Sequence, residues 1–95
     1  MSNNEEQFWD LAEEMIGSAN QKTSDADTVL VSDALLYAAA RFAAYTAAAA
    51  TEERKQFKEE QGEIKDMLMQ QFETMLDSNL ADYLENYKIY MKDAE

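Results

Sequence analysis

The sequence predicts an all-α domain, and three observations carry that prediction. Helix breakers are almost missing: there is no proline, and the only glycines are Gly17 and Gly62. Apolar residues recur at helical spacing through most of the chain. The stretch Ala34–Ala50, ALLYAAARFAAYTAAAA, is apolar on nearly every side, as expected of a helix packed among others. The expected architecture is a three- to four-helix up-down bundle with a central alanine-rich helix and a long C-terminal helix. A chain of 95 residues makes one domain the natural count, so residues 1–95 are taken as a single helical domain.

The first helix is expected over about residues 5–21. Asn4 is its N-cap candidate, with Gln7 three residues on, and Glu5 and Glu6 suit the positive end of the helix dipole. Phe8, Leu11, Ala12, Met15, Ile16 and Ala19 fall on one face, with Trp9 at its edge. Trp9 is expected to close the core. The run NQKTSDADT reads as a loop. The second helix is expected over about 28–50, with Asp27 and Ser32 as competing caps and Val29-Leu30-Val31 as the first turn. Arg41 is the one cation on this helix. A charge on an otherwise apolar helix needs a carboxylate or the surface, so Arg41 is expected to act as a structural salt-bridge pin. Glu13, Glu14, Asp77, Asp82 or Glu85 would supply the acid, and Tyr37 is one turn away for stacking.

Thr51 is the cap candidate for a third helix over about 52–77, and a fourth is expected over about 79–92. The apolar phase holds across Asp77-Ser78-Asn79, so the two are also readable as one helix. A continuous helix of that length would exceed a compact domain of this size. Either the chain breaks near Gly62 or Ser78, or the long helix finds a second subunit. The expected core comprises Phe8, Ala12, Met15, Leu35, Ala39, Phe42, Ile64, Leu68, Phe72, Leu76, Leu80 and Tyr83.

Composition narrows the chemistry. Without cysteine there is no disulfide, thiolate metal site or thiol nucleophile, and without histidine the commonest general base and metal ligand are missing. No cofactor is expected. The net charge of −12 disfavours both nucleic acid and anionic membranes. No segment reads as a leader or a membrane span, and the expectation is a cytoplasmic protein. A carboxylate magnesium site is the best catalytic candidate, with Glu60, Glu63 and Asp66 three residues apart. Lys55, Lys58 and Lys65 interleave with these acids, which is also how a solvated helix face looks. Tyr83, Tyr87, Tyr90 and Met91 form an aromatic and methionine face suited to a protein partner.

Three blocks, EQFWDLAEEMIGSAN, ALLYAAARF and FETMLDSNLADYLENY, together resemble a family of short acidic bacterial proteins known only as domain of unknown function 3144. The resemblance runs from Gln7 to Met91 and departs at the alanine run Ala47–Ala50 and the polar arm after it. It implies a stand-alone bacterial protein, and the family transfers no activity, cofactor or catalytic residue. The leading functional expectation is therefore a non-enzymatic interaction module with an unidentified protein partner, the homodimer being one form. The alternatives are a magnesium-dependent hydrolase and an acidic mimic binding a basic partner. The mimic is motivated by eight acids against one lysine before Tyr37.

Overall fold

The computed structural model describes residues 2–91. Four helices and no strand occur among the described residues: α1 (Ser2–Lys22), α2 (Thr28–Ala49), α3 (Arg54–Glu85) and α4 (Tyr87–Tyr90). The all-α class therefore stands. The expected end of the last helix at Lys92 lies outside the described residues. The chain divides into two units, Met1–Tyr45 and Thr46–Glu95.

In the first unit α1 begins at Ser2, so Asn4 lies inside the helix and does not cap it. The loop closes α1 by satisfying its last carbonyls. The Thr23 hydroxyl donates to the Asn20 carbonyl at 2.6 Å, and the Ser24 hydroxyl donates to that of Gln21 at 2.9 Å. Asp27, not Ser32, caps α2: its Oδ2 accepts the Val29 amide at 3.1 Å. Val29-Leu30-Val31 is the first helical turn, as expected. Between α1 and α2 runs an open apolar groove lined by Met15, Ala19, Leu30, Ala34, Leu35 and Ala38.

The expected core is the main correction. No residue is buried among the described ones. Phe8, Met15, Leu35, Phe42, Phe72, Leu76, Leu80 and Tyr83 are exposed, and Ala12, Ile64 and Leu68 are half-buried. Ala39, also expected in the core, is exposed too. The reason is that the signals for a helix do not depend on what covers it. Alanine has the highest helix propensity of any residue, so the Ala34–Ala50 run favours helix whatever lies against it. An all-round apolar wheel says that a helix wants cover; it does not place the cover in the same chain. Trp9 is 58 % exposed, with its ring edge-on to Phe8 at 4.9 Å, so it closes no core.

The second unit opens on a tight link. Thr51 does not cap α3. Its hydroxyl donates backward to the Ala48 carbonyl at 2.7 Å, closing α2. α3 starts one turn later from an extended Glu53. Gln56 reaches back to accept the Glu52 amide at 3.0 Å and donates forward to Glu60 at 3.1 Å. From Arg54 to Glu85 the helix is unbroken for 32 residues, about 48 Å at 1.5 Å per residue. It runs straight through Gly62 and Ser78, the two expected break points, and ends at Asn86.

A β-carbon built at Gly62 would meet nothing within 4 Å. Glycine inside a helix costs conformational entropy that alanine does not. Gly62→Ala should therefore raise stability by about 0.5–1 kcal/mol, read as a shift of the urea midpoint. A lower midpoint would show that the backbone at Gly62 needs its freedom.

Candidate functional site

α3 carries its large apolar side chains at a spacing that one continuous helix brings to a single face. Phe57, Gln61, Ile64, Leu68, Phe72, Met75, Asn79 and Tyr83 follow one another at steps of four, three, four, four, three, four and four residues. That is an eleven-residue repeat, 3.67 residues per turn, so the stripe drifts only slowly around the helix. Leu76 and Leu80 widen it. Phe57, Ile64 and Leu68 are half-buried. Phe72, Met75, Leu76, Leu80 and Tyr83 are exposed, from 42 % at Phe72 to 59 % at Leu80. The face is apolar, ordered by its own backbone hydrogen bonds and open.

The end of α3 carries a small polar hook. At Asn86 the helix is interrupted with φ −110° and ψ 26°. The turn brings Tyr90 back onto the last turn of α3. The Tyr90 hydroxyl donates to Asp82 Oδ2 at 3.1 Å, and Asn86 Nδ2 donates to Asp82 Oδ1 at 2.9 Å. The rings of Tyr83 and Tyr90 lie 4.7 Å apart at 47°. Of the expected partner surface, the structure thus brings Tyr83 and Tyr90 together. Tyr87 is exposed outside that ring pair, and Met91 is half-buried.

The hydrogen bond to the Asp82 carboxylate, reinforced by its negative charge, raises the Tyr90 pKa above the usual tyrosine value near 10. The neutral phenol makes the bond, so the hook is held at pH below the unfolded tyrosine value. It is lost as pH rises through Tyr90's own pKa. The phenolate absorbance of the wild type should therefore extend to higher pH than that of a Tyr90→Phe variant. Curves that superimpose after allowance for one missing tyrosine would show the bond absent in solution.

The other expected sites are not assembled. Among the described residues no group of three Asp, Glu, His or Cys side chains is placed to hold a metal. Glu60, Glu63 and Asp66 step around α3, 300° at a time, so they splay, and Glu60 already accepts from Gln56. Arg41 is exposed and makes no ion pair with Glu13 or Glu14 of its own unit. An exposed guanidinium is solvated by water and stands without such a pair. Tyr37, also exposed, does not stack on it.

Sequence reasoning missed the roles of Gln61, Asn79, Asp82 and Asn86, and offered Asp82 only as an acid for Arg41. The eleven-residue spacing was present for the first two. Nothing in the spacing of Asp82 and Tyr90, eight apart, announces a contact that exists only because the helix turns at Asn86. No helix of the described residues is long and apolar enough to cross a membrane.

A family model described as "Protein of unknown function (DUF3144)" matches residues 8–84. No curated protein and no solved structure matches the chain.

Proposed function

The chain belongs to the DUF3144 family of proteins of unknown function, and from that premise we propose that it is a non-enzymatic interaction module whose docking face is the apolar stripe of α3. One observation carries this reading: an unbroken 32-residue helix with its large apolar side chains exposed on one face. Water penalises such a face by about 25 cal/mol per Å² of apolar surface. Exposed apolar runs of this extent mark surfaces that a partner covers. The Met67, Met69 and Met75 side chains along α3 add adaptability to that surface.

The test compares two baits immobilised in the cytoplasm of the source cells, the wild-type chain and a Phe72→Glu/Leu76→Glu variant. Captured proteins, copies of the chain itself included, are identified by mass spectrometry. The reading expects at least one protein held by the first bait and lost from the second. Identical captures on both baits, with both chains helical by circular dichroism, would refute it.

A further inference from the structure

We propose that the occupant of the α3 face is a second copy of this chain, laid antiparallel along it with the two-fold axis level with Gln70. This rests on the reading of α3 as a docking face and names its partner.

Part of the stripe matches itself about that level. Reversing α3 around Gln70 sets Phe57 opposite Tyr83, Gln61 opposite Asn79, Ile64 opposite Leu76, and Leu68 opposite Phe72, while Met75 falls opposite Lys65 and Leu80 opposite Glu60. In three of these pairs large apolar residues meet, in one the two amides of the stripe meet each other, and the two mismatched pairs lie towards the edge, where the lysine and glutamate heads reach water. The Asn79 Nδ2 is already donating to the Met75 carbonyl at 2.8 Å. Its Oδ1 is the remaining acceptor, and Gln61 Nε2 of the second copy is a donor of the right kind at the same level. A polar pair inside an apolar seam favours its own register, because a slip breaks the pairing of the two amides with each other.

A parallel pair would also match apolar to apolar, so the pattern alone does not choose the direction. Charge does. Residues 54–69 carry four cations (Arg54, Lys55, Lys58, Lys65) and four acids (Glu59, Glu60, Glu63, Asp66). Residues 70–85 carry four acids (Glu73, Asp77, Asp82, Glu85) and no cation. Parallel pairing stacks the two uncompensated acidic halves on one another. Antiparallel pairing lays each acidic half along the half that holds every cation of α3, with Lys55 and Lys58 level with Glu85 and Asp82 of the second copy. Area agrees. The eight large apolar side chains of the stripe and its flank, each partly exposed, offer roughly 600–800 Å² per copy, close to the ~800 Å² per partner of a standard stable interface.

The test uses the full chain. Sedimentation equilibrium over nanomolar to high micromolar concentrations should show a monomer–dimer equilibrium, and Phe72→Glu should raise the dissociation constant at least about 100-fold. Direction is read separately on the otherwise unaltered sequence. The native chain has no cysteine, so a single Glu59→Cys substitution, pointing away from the stripe, takes one spin label per copy. Antiparallel pairing about Gln70 expects a label separation of about 40 Å; parallel pairing expects about 20 Å. A monomer at every concentration, or the short distance, overturns the proposal. A monomeric chain whose captured proteins are still lost with Phe72→Glu/Leu76→Glu would remove self-pairing and leave the docking face standing.

Discussion

Proline in place of Gln70 should cost about 3 kcal/mol or more and abolish the association that α3 supports. Gln70 sits in the middle of the unbroken helix and on the side away from the stripe, so the glutamine side chain itself contributes little. Proline removes the amide that bonds to the Asp66 carbonyl, and its ring presses on the same carbonyl. The preceding residue, Met69, is pushed out of the helical region as well. The two halves of the stripe would then point in different directions, and no single partner helix could follow both. Chemical denaturation and sedimentation check the two effects together, with Gln70→Ala as the control that keeps both properties. A Gln70→Pro chain as stable and as associated as the control would mean that α3 works as two short helices.

The melting temperature should rise with protein concentration. No described side chain is buried, and isolated helices in water are marginal unless tertiary contacts hold them. Stability then comes from covering the apolar faces, which two copies do by mass action. Each tenfold rise in concentration adds about 1.4 kcal/mol per dimer, or about 3–5 °C for two chains of this length. Thermal scans over a hundredfold concentration range measure it. A flat melting temperature would place the source of stability inside one chain.

The helices were legible in the sequence and their cover was not. α1 follows from propensity and the 3.6-residue period, and α2 with its first turn at Val29 from the Asp27 cap as well, all of them local. The unbroken passage through Gly62 and Ser78 was one of two open readings. The phase of the apolar stripe favoured it, and neither residue is a strong enough breaker to outweigh that phase. The expected core failed for a different reason. Phe72, Leu76 and Tyr83 have the same spacing whether they face a neighbouring helix of their own chain or another molecule. Periodicity gives the direction in which a side chain wants to be covered; the covering group is a non-local fact. Arg41 is pinned by neither Glu13 nor Glu14 within its own unit, since the expectation of a pin assumed a buried helix and this one is exposed. The Asp82–Tyr90 hook was hidden because it depends on a backbone turn at Asn86 that no strong breaker signals.

The continuity of α3 also sets the order of events in time. Everything that holds it straight joins residues about four apart in sequence, so helix formation needs no distant encounter and takes on the order of a microsecond. Two chains at micromolar concentration meet far more slowly, with typical association constants of ~10⁵–10⁷ M⁻¹s⁻¹ giving ~0.1–10 events per second. The stripe therefore forms and melts many times before a second copy arrives, and the encounter holds it in the helical state. Collision, rather than any step within the chain, sets the pace at which the assembled state is reached.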